Sequence, residues 1–307
     1  MRSLVRPQDG PPSIPESGHY ICSGRAPLAA RASRLRRMYV RSQHAALAHG
    51  NPFLWLRKER PGGRVFSAYV SKATSMQVVM LIFPNMTQLD LTGPFEVFAR
   101  FKEFKIALAW KTSDPVTDGS GLKITPSATF SNCPMADILF VPGGPGQLAL
   151  MEDVETLDFL RKQASSATYI TSVCTGSLVL AAAGLLTGYR ATSHWMSISQ
   201  LAYFDVEPVA ERVVIDRNRI TGAGVTSGID FALTLVSRIF GEERAKLVQL
   251  SMEYDPQPPF AGGSVINSDT ALIEKLRNLS ETFQHQREIV SQRVANELKG
   301  FTKHNET

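Results

Sequence analysis

The chain has 307 residues, 43% hydrophobic and 20% charged, a globular composition that excludes collagen, wholesale disorder and a disulfide scaffold. Its net charge of +5 is unevenly held. Residues 1–75 carry eleven Arg and two Lys against Asp9, Glu16 and Glu59, so the remainder is mildly acidic and offers nucleic acid no electrostatic footprint.

No run of about 18 apolar residues occurs, so no membrane-spanning helix is expected. Three cysteines, Cys22, Cys133 and Cys174, cannot all pair, which points to free thiols and a reducing, cytoplasmic setting.

Residues 1–75 read as an extension rather than a domain. They hold Pro7, Pro11, Pro12 and Pro15, an Arg cluster over 31–41, and little apolar periodicity. An Arg-rich, acid-poor start is the composition of a mitochondrial transit segment, against which Asp9 and Glu16 stand. Met76, directly before the first strand pattern, supports a mis-called start. A disordered or DNA-contacting arm is the third reading.

From Gln77 the pattern is that of an α/β protein. Residues 77–83 form a continuous apolar run, the mark of a strand buried on both faces. Thr92-Gly93-Pro94 predicts a helix over 95–102, with Pro near its first turn. Further strands are expected at 105–110, within 122–130, at 137–141 and at 169–173. Helices are expected at 153–163 and 175–186. A hairpin is predicted around Asp216-Arg217-Asn218, then helices at 229–240 and 242–252. A long C-terminal helix, 269–301, carries Leu272, Leu276, Leu279 and Phe283, then Ile289/Val290, Val294 and Leu298, at three/four spacing. That stripe suits packing on its own domain or a contact with a second copy. Strands alternating with helices give a three-layer sandwich with a mostly parallel sheet. The expected division is a domain over 76–262 and a helical extension over 263–307.

Three segments carry chemistry. In Val173-Cys174-Thr175-Gly176-Ser177 a strand ends at a cysteine and a helix starts at once, the geometry of a nucleophile elbow. The helix N-terminus is expected to favour a Cys174 thiolate; the bland alternative is an inert core thiol. Pro142-Gly143-Gly144-Pro145-Gly146 brings bare backbone to the same sheet edge, where the N–H groups of Gly143 and Gly144 could serve an oxyanion. Asp90, between Leu89 and Leu91, reads as a helix cap or as an acid/base carboxyl raised in pKa by apolar neighbours.

Together with Ala191-Thr192-Ser193-His194-Trp195 and Gly228-Ile229-Asp230-Phe231, these motifs resemble the PfpI-like, class I glutamine-amidotransferase-like superfamily, over about 76–260. Within it the pattern is similar to that of its isonitrile-hydrating members. The resemblance implies a flavodoxin-like fold and a homodimer. It implies Cys174 as nucleophile with Asp90 and Thr175 as partners, and an isonitrile substrate converted through a thioimidate to a formamide. It implies neither metal nor cofactor, and the histidines lack metal-ligand spacing. Thr175 stands where peptidase and deglycase members carry His, and Asp90 where many members carry Glu; both departures speak against a peptidase or amidotransferase.

His194 has two readings, a base in the Cys174 pocket or a structural ring beside Trp195; the second is preferred. The rivals in other classes are a redox or regulator-type sensor domain and an aldehyde-processing glyoxalase or deglycase. After Phe260 the sequence reads as one long helix and not as a helix-turn-helix, which favours an enzyme over a regulator.

Overall fold

The structure, a computed structural model, describes residues 75–305, with side chains to Gly300; the readings of the N-terminal extension lie outside the described residues. The first apolar run forms β1 (Met76–Leu81), and every side chain from Val78 to Phe83 is fully buried. The next helix, α1 (Gln88–Phe98), begins at Gln88 rather than at Phe95 and takes Pro94 into its interior. Thr87, in extended backbone, provides the entry, and the only local loss is the N–H that Pro94 does not return to the Asp90 carbonyl.

β2 (Phe104–Trp110) follows as expected. The stretch 122–130 divides between two sheets. β3 (Val116–Thr117) pairs antiparallel with β4 (Lys123–Ile124) apart from the main sheet, whereas β5 (Ala128–Thr129) joins β2 in parallel. Then come β6 (Ile138–Val141), α2 (Gln147–Leu150), α3 (Val154–Ala164), β7 (Tyr169–Val173) and α4 (Gly176–Ala182). Asp153 caps α3 through the Thr156 N–H. α4 stops short of the expected Leu186 because the chain turns left-handed at Gly184, φ 75°.

Short strands β8 (Arg190–Ala191) and β9 (Glu207–Pro208) flank a 3₁₀ helix, Ile198–Phe204; none of the three was expected. β10 (Val213–Asp216) and β11 (Arg219–Gly222) form the predicted hairpin, with Arg217 at φ 55° in its two-residue turn. α5 (Ser227–Phe240), α6 (Glu242–Ser251) and α7 (Thr270–Asn305) complete the chain.

The main sheet has the order β10-β11-β7-β6-β1-β2-β5, parallel except for the β10–β11 pair. α1, α5 and α6 pack with one another on one face, and α2, α3, α4 and α7 on the other, giving the flavodoxin-like three-layer sandwich. The chain runs outward from β1 to β2 and β5, then returns to the other side of β1 with β6. That reversal opens a crevice at the carboxyl ends of β1, β6 and β7, where ligands bind in open α/β sheets.

Of the two expectations raised for α7, packing on its own domain is met by part of the helix. Its C-terminal half buries Val290, Val294 and Ala295 against α4 and the 3₁₀ segment, while Leu272, Leu276 and Leu279 in its N-terminal half are exposed. Among the described residues no helix is long and apolar enough to cross a membrane.

Candidate active site

Asp90, Gly143, Gly144, Cys174 and Thr175 converge at that crevice. Cys174 follows β7 and has φ 58°, a left-handed backbone that a non-glycine residue holds only when its surroundings enforce it. They do so here. The Cys174 N–H extends the ladder to the Gly222 carbonyl at 3.0 Å. Its carbonyl accepts from the hydroxyls of Ser177 and Ser193, both at 3.1 Å.

Asp90 lies in the first turn of α1 but caps nothing. Its carboxylate Oδ2 reaches across to accept the Gly143 N–H at 3.0 Å. The Gly144 N–H is given to Thr175 Oγ1 at 3.1 Å. The glycine loop therefore serves differently from the expectation: its two N–H groups are engaged in holding the acid and the residue after the nucleophile, and are not free for an oxyanion. Gly143 is required sterically. A Cβ there would lie 2.5 Å from the Thr175 nitrogen, 2.7 Å from its hydroxyl and 2.9 Å from Asp90 Oδ2. Gly143→Ala is expected to lower any activity of the site about a hundredfold by misplacing these groups. It should destabilise the fold by about 1–3 kcal/mol; steady-state kinetics and thermal unfolding read the two effects.

Asp90 is fully buried and Cys174 is 5% exposed. Burial pushes the Asp90 carboxyl up to about 7, against the opposing pull of the Cys174 thiol and the Gly143 N–H. Burial, reinforced by Asp90, also pushes Cys174 well above the ordinary thiol value; the Thr175 N–H and the Arg287 guanidinium act in the other direction. The expected thiolate from the helix N-terminus is thus not what the surroundings produce. α4 is a seven-residue helix, and desolvation outweighs its dipole. Asp90 Oδ1 is buried without a directed hydrogen bond. The thiol is close enough to be felt in the titration of both groups without being aligned as a formed bond. The two groups are buried together and each shifts the other's titration. Among the described residues no cluster of His, Cys, Asp and Glu side chains could hold a metal.

The profile of the DJ-1/PfpI family matches residues 76–238, from β1 into α5. The chain belongs to the DJ-1/PfpI family. Isonitrile hydratase of Pseudomonas putida is 47% identical over 224 residues, covering 73% of this chain and 98% of that enzyme. The transcriptional regulator GbdR of Pseudomonas aeruginosa is 37% identical over 183 residues, covering 57% of this chain and 50% of the regulator. A THiJ/PfpI family protein of Pseudomonas syringae superposes with a TM-score of 0.69 at 43% identity, covering 76% of this chain and 98% of that one.

In this DJ-1/PfpI chain His194 is half-buried, and no hydrogen bond runs from it to Cys174. Its Nδ1 accepts the Met196 N–H at 3.4 Å, and its ring lies 5.9 Å from that of Trp195. Burial and the nearby Arg287 charge hold it below the ordinary histidine value, so it is a neutral ring at physiological pH. Its neighbour Ser193 is what reaches the elbow. Ser177 and Ser193 stand in the sequence motifs without this role and Gly222 was not singled out; nothing in their local pattern marks them as supports of Cys174. Cys133, on the connection before β6, is partly buried and its thiol is pushed up to about 11, a structural setting.

Proposed function

We propose that this protein hydrates isonitriles, R–N≡C, to N-substituted formamides, with Cys174 as nucleophile, Asp90 as proton carrier and Thr175 as their positioning partner. The observation that carries the reading is that Asp90 and Cys174 are both buried and each acts on the other's titration. An isonitrile carbon must gain both a proton and a nucleophile, and this pair supplies both to one atom. Asp90 takes the thiol proton and passes it to the terminal carbon. The thiolate forms a bond to the same carbon, leaving R–N=CH–S–Cys174 and an ionised Asp90. Asp90 then takes a proton from water as the hydroxide adds to that carbon, and returns the proton to nitrogen. Collapse makes the C=O bond, breaks C–S and restores the thiol, releasing R–NH–CHO. Thr175, tied to Gly144, keeps the elbow and the glycine loop in register during these steps.

Identity to the Pseudomonas putida hydratase along nearly all of that enzyme favours this reading over the regulator class, of which only half is matched. The burial of both groups suits a slim, neutral substrate whose reactive carbon is terminal. The exposed leucines of α7 would supply a contact for a homodimer. The test incubates the full chain with cyclohexyl isocyanide and follows N-cyclohexylformamide by mass spectrometry, with light scattering on the same sample. Formamide in excess of the buffer control and twice the chain mass are expected. No product over several simple isonitriles from folded protein would overturn the assignment, and a chain-sized particle would overturn the dimer.

A further inference from the structure

Arg287 acts on Cys174 and has no part in the proposed chemistry. It lies on the docked half of α7, is 4% exposed, and is held on neutral oxygens. Its Nε donates to Gln147 Oε1 at 3.0 Å, and its Nη1 to Ser197 Oγ at 2.8 Å and Gln284 Oε1 at 3.1 Å. Its face covers the Phe283 ring at 4.6 Å. Among the described residues no carboxylate pairs with it and Nη2 has no acceptor. A cation buried without a counter-charge is costly, so its position calls for a negative partner that forms in use.

Cys174 heads the helix α4 on which α7 packs, and Gln147 leads from the loop that holds Asp90 and Thr175. We infer that Arg287 is the fixed counter-charge of the Cys174–Asp90 pair, a positioning residue that makes the thiolate accessible although it does not touch the sulfur through a hydrogen bond. With one shared proton the pair carries a single negative charge, and the guanidinium renders the buried site neutral as a whole. The charged group that acts on the Cys174 thiol besides Asp90 from α1 is Arg287 from α7. Arg287 in turn is acted on by Cys174, and its charge reaches the His194 ring after β8.

The inference rests on Cys174 as the reactive thiol and not on the identity of the substrate, so its test uses a different reagent. Alkylation of the Cys174 peptide by iodoacetamide is followed against pH by mass spectrometry in full-length wild type, Arg287→Gln, Arg287→Lys and Gln147→Glu, beside circular dichroism. Removing the cation should raise the alkylation midpoint by about one pH unit, so that the rate at any pH below it falls about tenfold. Arg287→Lys should recover most of the loss. Gln147→Glu leaves the guanidinium in place but gives it a carboxylate partner, and should also raise the midpoint; it decides the matter if Arg287→Gln does not fold. A folded Arg287→Gln or Gln147→Glu with the wild-type midpoint would overturn the inference, as would a folded Arg287→Lys that behaves like Arg287→Gln. Shifted midpoints in a protein that forms no formamide would leave Arg287 in this role and reject the hydration chemistry.

Discussion

Cys174→Ala is expected to cut formamide production by at least about a thousandfold while moving the unfolding temperature by no more than about 5 °C. The two halves of that expectation have separate causes. Activity goes because, among the described residues, the other cysteine, Cys133, sits on a separate connection with its thiol pushed up to about 11. The fold stays because the strained turn is held by main-chain atoms. The bonds from the Cys174 N–H to Gly222 and from Ser177 and Ser193 to the Cys174 carbonyl do not involve the side chain, and an alanine at the φ of 58° is no more strained than the cysteine. Acid quench of wild type during turnover should give a Cys174 peptide heavier by the whole mass of the isonitrile, since thioimidate formation is an addition. Wild-type rates in Cys174→Ala would remove the nucleophile assignment outright.

The buried sheet was legible because strands covered on both faces need no polar alternation, so 77–83 and 137–141 stand out as apolar runs. The elbow was legible for a related reason, a strand stopping at a cysteine with small residues behind it. What the sequence hides is the direction of a charge balance. The helix after Cys174 argues for a thiolate, but whether its short dipole outweighs desolvation depends on how deeply the thiol is covered, and burial is a property of the whole fold. The glycine loop was found and its task misjudged, because nothing in Pro142-Gly143-Gly144 tells which oxygens its N–H groups meet. Pro94 misled the start of α1 because proline marks a first turn more often than an interior one. Arg287 left a trace that went unread: it occupies the apolar stripe between Phe283 and Val290, where a solvated helix face would not place a charge.

Asp90→Asn should lose most of the activity and, at the same time, gain stability relative to wild type as pH rises. In wild type Asp90 and Cys174 each act on the other's titration. Below pH 7 the pair holds two protons, a carboxylic acid and a thiol, and lacks the base that would release the nucleophile. Activity, read as kcat/KM, should therefore rise with a midpoint near 7, where the Asp90 carboxyl lies. It should fall again only in the alkaline range, where the remaining proton leaves the buried pair. Asp90→Asn should show no rise near 7, because an amide cannot carry the proton.

The stability effect follows from the same shift. In the unfolded chain an aspartate ionises near pH 3.9, whereas the folded, fully buried Asp90 keeps its proton to about 7. The stabilisation that comes from this retained proton is complete below about pH 4 and is lost as pH climbs through 7, a total of about 4 kcal/mol. The amide introduced by Asp90→Asn has no proton to lose and can still accept the Gly143 N–H. The variant's unfolding temperature should therefore gain on that of wild type between about pH 4.5 and about pH 8. A constant difference between the two proteins across that range would mean that Asp90 ionises as an ordinary carboxylate, and would sink its role as the proton carrier even if the variant were inactive.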